Sequence, residues 1–299
     1  MIRTPFRLSA KLLLAIVPVL VTVVGLTSLL GYSAARRVIL AAIDKEMGLL
    51  AQRTAGNIDE LLDQRYRDLF TLSETPLIAD YYRNVDFGLR DEAEAYRKEL
   101  RRYFANFAAR TRVYGAVLYL DASGREVARA GEAPAPERSF LDELRALPPR
   151  GWKASQAQTS AGLPVVYYGK LVHDELGAHK GTLVLVYDLG EVQSLLKSIV
   201  VGRNGRAYAV TTGGVKLEGR PPAAPDSEML SAQSGATRMP WKIHVEAPQD
   251  DFLGPLLSVR HSVMAACAAG LACLVAALLL LVRGVTDPLA ALAAAARRV

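Results

Sequence analysis

The sequence predicts an α+β fold, a long helix leading into antiparallel sheets, held between two membrane-crossing helices. Three observations carry that expectation. Two uncharged apolar runs, Leu12 to Ala35 and Ser262 to Val282, bracket 226 residues of mixed composition. A proline-free stretch of helical period follows the first run. Beyond about residue 112 the period changes to that of strands, broken by turn residues.

The apolar runs are 24 and 21 residues long. At about 1.5 Å per helical residue, either spans a hydrocarbon core of roughly 30 Å. The first flank, residues 1–11, carries Arg3, Arg7 and Lys11 and no acid; the far flank, 283–299, carries Arg283, Arg297 and Arg298 against Asp287. The Lys/Arg bias places both flanks in the cytoplasm. Residues 12–35 and 261–282 are therefore expected as transmembrane helices, with 36–260 outside. A cleaved signal peptide is the alternative for the first run, with Ser33-Ala34-Ala35 as its cleavage site. The run is about twice the usual signal-peptide core of roughly 7–15 residues.

The net charge of +6 invites a nucleic-acid reading until the charges are located. Residues 36–260 hold 30 Lys+Arg and 29 Asp+Glu, so the excess sits beside the membrane. No polyanionic partner is expected. Both cysteines, Cys267 and Cys273, lie in the second apolar run, so the central domain depends on its core and not on disulfides.

From Arg36 to about Ser73, apolar residues recur at Ile39, Ile43, Met47, Leu50, Ile58, Leu61, Leu69 and Leu72. Thr54, Asn57, Gln64 and Arg65 read as interruptions of this stripe. The helix either packs on its own domain or continues the membrane helix as a dimer seam. A second helix is expected over Asp91–Arg110, its Arg97, Lys98, Arg101 and Arg102 forming a solvated face. Val113–Leu120 reads as a strand that turns at Asp121–Gly124 and returns over Glu126–Ala130. A short helix, Phe140–Ala146, lies among the prolines that follow. Strands resume at Val165–Val172 and Gly181–Asp188 around a polar turn. Glu191–Lys197 suggests a connecting helix. A smaller unit follows, with strands at Ala207–Thr212 and Trp241–Glu246, and a helix from about Asp250 runs to the membrane.

The stretches VYGAVLYLDASGREVAR (113–129), LVHDELGAHKGTLVLVYDLGEV (171–192), VVGRNGRAYAV (200–210) and WKIHVEAP (241–248), in this order after a long helix, resemble the double-Cache, PAS-like sensor domains of bacterial transmembrane receptors. The resemblance covers about residues 36–260, with a distal module near 76–190 and a smaller membrane-proximal one near 198–250. Val285-Thr286-Asp287-Pro288-Leu289 resembles the opening of a HAMP linker, where proline starts a cytoplasmic helix. The resemblance implies a homodimeric receptor in the bacterial inner membrane with a periplasmic sensor. It would bind a small molecule and signal to a histidine kinase, chemotaxis transducer or nucleotide cyclase.

The resemblance also implies where the ligand sits, among the later strands of the distal sheet. Asp188 matches the family position whose carboxylate meets a ligand ammonium group. Tyr168, Lys170 and Tyr187 are expected to line the pocket, with Trp152 at its mouth and Arg150 or Lys170 ready for an anion. Strand alternation puts Tyr168 and Lys170 on one face and Tyr167 on the other. The tyrosines as core residues and Asp188 as a helix cap are the alternatives. Amino-acid-binding members carry Arg-x-Trp-Tyr; here Arg150-Gly151-Trp152-Lys153 ends in lysine, which leaves amino acids and simple anions both open.

Enzymatic readings find little to rest on. His173 and His179 lie six apart in a hairpin, a poor spacing for a metal, and no phosphate-cradling glycine loop occurs. No catalytic residue, metal site or cofactor is expected. Two other function classes remain, an interaction scaffold docking a periplasmic protein and an extracytoplasmic hydrolase using His173 or His244.

Overall fold

A computed structural model describes residues 6–160, 162–220, 228–254, 262–270, 272–273, 275–277 and 280. Contacts divide the chain into two units, one of residues 44–248 and one of 1–43 with 249–299. The HAMP-like stretch, 283–299, lies outside the described residues.

In the smaller unit, the first apolar run forms the start of α1 (Phe6–Ser73). Among the described residues this is the one helix long and apolar enough to cross a membrane. Its Val21, Leu26, Leu29 and Leu30 side chains are exposed. The described residues of the second apolar run, 262–270, 272–273, 275–277 and 280, are helical. The Arg36 guanidinium donates to Gln249 Oε1 at 3.1 Å.

In the larger unit, α1 buries Met47, Ala51, Thr54, Ala55, Ile58, Leu62, Arg65, Leu69 and Leu72. Apart from the adjacent Thr54 and Ala55 these fall at steps of three and four, so Thr54 and Arg65 continue the stripe that the sequence suggested they break. Each does so by satisfying its polar atoms locally. Thr54 Oγ1 donates to the Leu50 carbonyl at 2.7 Å, and Arg65 Nε to the Leu61 carbonyl at 3.3 Å. Helix α1 stops because Pro76 forces the preceding Thr75 into extended backbone, ψ 131°. Pro76 then opens α2 (Pro76–Asp86), a helix the sequence reading left out. Helix α3 (Arg90–Thr111) ends on Arg112, which is left-handed at φ 55°.

The distal sheet takes β1 (Tyr114–Asp121), β2 (Glu126–Gly131), β3 (Trp152–Ala154), β4 (Gln158–Ser160), β5 (Leu163–His173) and β6 (His179–Asp188) in the order β2-β1-β6-β5-β3, with β4 also on β5. All pairs are antiparallel. Its two faces are buried differently. Ala116, Leu118, Val165, Tyr167, Val184 and Val186 pack against Phe140 and Leu144 of α4 (Arg138–Arg145). Gly169 makes room for that helix: a Cβ there would meet Phe140 Cε1 at 3.1 Å and Leu144 closer still. The opposite face carries Val117, Tyr119, Val166, Tyr168, Leu183, Leu185 and Tyr187, all buried.

Helix α5 (Gly190–Ser198) leads to the second sheet of β7 (Arg206–Val210), β8 (Lys216–Glu218), β9 (Met229–Gly235) and β10 (Lys242–Pro248), ordered β8-β7-β10-β9. Ala207, Ala209, Leu217, Ile243 and Val245 form its buried face. On the other face Tyr208 and His244 stack at 4.9 Å. The β9–β10 turn is tied to α1, because the Asp59 carboxylate accepts the Thr237 and Arg238 amides at 2.8 Å and Arg238 pairs with Asp63 at 2.8 Å. Strands β3, β4, β8 and β9 are additions to the elements expected from sequence.

Candidate functional site

The end of α1, helix α2 and the β5–β6 hairpin enclose a cleft of about 610 Å³. The Thr75–Pro76 break turns the chain across the top of the sheet, which sets α2 opposite the hairpin. Ile78 and Val172 supply apolar wall, and Tyr82 adds a half-buried ring whose phenol is pushed up to about 12 by burial.

Lys170 is the polar centre of this cleft. Its ammonium donates to Ser73 Oγ at 2.7 Å and lies 3.4 Å from Glu74 Oε1 and 3.8 Å from the centre of the Phe70 ring. The Lys170 side chain is 6 % exposed whereas that of Glu74 is 71 % exposed. Burial holds the Lys170 ammonium below its usual range, and the nearby Arg150 charge pushes the same way, against the opposing pull of Glu74. Arg150 has left-handed backbone, φ 64°, a conformation that costs a non-glycine residue of order 1–3 kcal/mol and collects at functional positions. Its amide donates to His173 Nδ1 at 3.4 Å. Lys180 is bound to Asp86 at 2.8 Å and Asp174 at 3.5 Å. Phe87, 75 % exposed, and Leu176, 94 % exposed, stand on the cleft's rim from two separate turns.

The six residues expected to surround one pocket separate into four places. Arg150 and Lys170 line the cleft. Tyr168 and Tyr187 share Lys170's face of the sheet but lie deeper, buried around the Arg65 guanidinium, which sits 5.2 Å from the Tyr187 ring centre. The Tyr187 hydroxyl donates to Glu191 at 3.1 Å. Trp152 pairs with Lys170 across β3 and β5, and its ring packs on Tyr66 at 4.4 Å. Asp188 lies opposite Val165, on the other face of the sheet, and its Oδ1 accepts the Gly190 amide at 2.8 Å. The pleat and the start of α5 together take Asp188 away from Lys170, leaving it in the helix-cap role. Tyr167 is on the α4 face, as alternation requires.

The sequence reading missed the α2 wall with Glu74 and Tyr82, and the hairpin tip. The Thr75-Pro76 dipeptide was the available signal, since proline after an uninterrupted helix marks a turn that can build a wall. The His173 and His179 rings lie 5.5 Å apart and tilted by 50°, and burial lowers the His179 pKa. Among the described residues no group of three His, Cys, Asp or Glu gathers to hold a metal. The arrangement is one for recognition, with fixed donors set in partly apolar walls.

No family model matches the sequence, and no curated protein matches it. Solved structures do match. The chain is similar to the ligand-binding domain of the Pseudomonas aeruginosa PAO1 amino acid chemoreceptor PctC in complex with GABA, at 15 % identity and TM-score 0.50, over 68 % of this chain and 98 % of that one. It is similar to the ligand-binding domain of the Campylobacter jejuni chemoreceptor Tlp3 in complex with 4-methylisoleucine, at 10 % identity and TM-score 0.54, over 71 % and 93 %. The extracellular domain of vpHK1S-Z8, described as a histidine kinase, matches at 12 % identity and TM-score 0.54, over 74 % and 96 %. The chain therefore has the fold of receptor sensor domains, α+β with a long N-terminal helix.

Proposed function

We propose that this chain is the sensory input portion of a transmembrane receptor, with residues 36–260 outside the bacterial inner membrane. A small ligand held in the distal module shifts the packing of the sheet on α1. The proximal module and the second crossing, 261–282, carry that shift to a HAMP linker and a cytoplasmic output, in a homodimer. The observation that carries the reading is the shared fold: it spans nearly the whole of ligand-binding domains from chemoreceptors and of an extracellular domain described as a histidine kinase's. The exposed apolar start of α1 fits a lipid-facing surface, which supports a membrane anchor beside an external domain. Couplings of about 1–3 kcal/mol are typical of such relays.

Within this reading the cleft at Lys170 and Arg150 is the ligand site. Of the six residues expected from sequence, these two line the cleft. A thermal-shift screen of the full chain in detergent against amino acids, organic acids, amines and purines tests it. The expected result is a specific stabilisation that is lost in Arg150→Ala. No stabilisation by any of the four classes refutes the sensor reading, and so does a reporter fusion placing Gly124 in the cytoplasm.

A second reading, a scaffold that docks a periplasmic protein, is favoured by the exposure of Phe87 and Leu176. Loss of a protein partner in Phe87→Ser and Leu176→Ser would support it, and retention of the partner in both variants would count against a docking role for these two residues.

A further inference from the structure

We infer that the ligand of the cleft is a small organic anion, and that it acts by displacing Glu74 from Lys170, so releasing the end of α1. The inference rests on the sensor reading and assigns its site a ligand class and a trigger.

Lys170 is a buried cation with a poor counter-ion. Glu74 reaches it through one 3.4 Å contact from a largely exposed side chain, where solvent screens the pair. The shorter bond is to Ser73, a neutral hydroxyl. Arg150 stands close enough to raise the cost of the Lys170 charge, and its guanidinium has no acidic partner among the described residues. Lys170 and Arg150 thus face one cleft, with Glu74 the one carboxylate in ion-pair contact with either of them among the described residues. The other cations of the wall already have acidic partners, Lys180 in Asp86 and Asp174 and Arg83 in Asp80, and the wall's remaining carboxylate, Glu175, is exposed at the hairpin turn. A carboxylate on a short apolar body answers both features. Its oxygens neutralise Lys170 and Arg150, and its body meets Ile78 and Val172. An ammonium ligand meets the opposite situation, since the buried floor offers it positive charge.

The consequence follows from where Glu74 lies. Ser73 is the last residue of α1 and Glu74 the next, so the Lys170 contacts fasten the tip of that helix to strand β5. The same helix holds the distal sheet through Asp68, which accepts the Tyr114 hydroxyl, and the β9–β10 turn through Asp59. An anion that takes Lys170 from Glu74 therefore loosens one end of the element both modules are tied to. The trade requires a differential interaction between the two states, which the anion supplies through Arg150.

The test uses the full chain in detergent micelles and isothermal titration with butanoate, succinate and benzoate, with butylamine as the charge-reversed control. At least one of the anions is expected to bind and butylamine is not. Lys170→Gln should weaken that binding by at least about tenfold, the loss of a charge-assisted bond. Glu74→Gln should strengthen it by about 1.5- to 5-fold, the worth of an exposed ion pair. Because Glu74 is exposed, this variant keeps the fold even where Lys170→Gln does not. Binding unchanged or weakened in Glu74→Gln overturns the displacement and leaves the sensor reading intact. Binding of butylamine, or of none of the anions while amino acids, amines or purines bind in the wider screen, overturns the ligand class alone. Failure of every compound in both experiments refutes the sensor reading itself.

Discussion

Arg65 is the residue whose replacement most directly tests how α1 is fixed to the distal sheet. It is 7 % exposed, with its guanidinium 5.5 Å and 5.2 Å from the ring centres of Tyr114 and Tyr187. Nη1 lies 3.8 Å from Asp68, and Nε donates to the Leu61 carbonyl. Arg65→Met keeps an unbranched apolar stem and removes the charge. Each cation–π contact is worth about 0.5–2 kcal/mol, depending on desolvation. The lost hydrogen bond adds about 0.5–1.5 kcal/mol, and the Asp68 carboxylate is left with two neutral donors, the Tyr114 hydroxyl and the Gln64 amide. Part of this is offset, because a buried charge no longer needs desolvation. The net expectation is a loss of about 3 kcal/mol. For a unit of this size, 1 kcal/mol shifts Tm by about 2–4 °C, so a fall of roughly 6–12 °C is expected. Circular dichroism melts of the full chain in detergent provide the assay. Asp68→Asn should be less damaging in the Arg65→Met background than in the parent, since the two share one network. A melt within about 2 °C of the parent for Arg65→Met, or strict additivity of the pair, refutes the view that this cation is an anchor.

Two further outcomes are expected. Gly169→Ala pushes a methyl into Leu144 and Phe140 and should cost about 1–3 kcal/mol, the usual range for overpacking; a cycle with Leu144→Ala, read by chemical denaturation, should show the two changes to be less than additive. For pH, burial lowers the His179 pKa from its usual 6.5, so the unfolded chain binds the proton more readily. Stability should then rise with pH through the window just below 6.5 and fall on acidification across it. The Asp174 carboxylate, held down by the Ala178 amide, loses its contribution only at lower pH, below the ordinary carboxylate range. Melts between pH 5 and 7 should show a slope that His179→Gln flattens; an unchanged slope assigns the effect elsewhere.

Much of the architecture is legible in the residues themselves. The run of helical period to Ser73 and the stop before Pro76 specify α1's end. The strand period of VYGAVLYL and GTLVLVYD specifies two central strands, β1 and β6. Period needs length, however. Strands β3, β4 and β8 are three residues each, and β9, MLSAQSG, is mostly small and polar, so none carries a readable alternation. Those strands exist because a neighbour offers them a free edge.

The site divides along the same line. Alternation correctly separates Tyr167 from Tyr168 and Lys170, because the pleat is a local property of one strand. That Lys170 meets Ser73, 97 positions earlier, depends on how α1 lies across β5. That Arg65 belongs to the buried stripe depends on Tyr114 and Tyr187 arriving above it from two other elements. Sequence thus determined the elements and which face of each is apolar, since both follow from backbone geometry and the exclusion of apolar surface from water. Which polar side chains are buried, and beside what, only the tertiary structure decided, because a charge inside a protein is tolerated according to partners that distant segments supply.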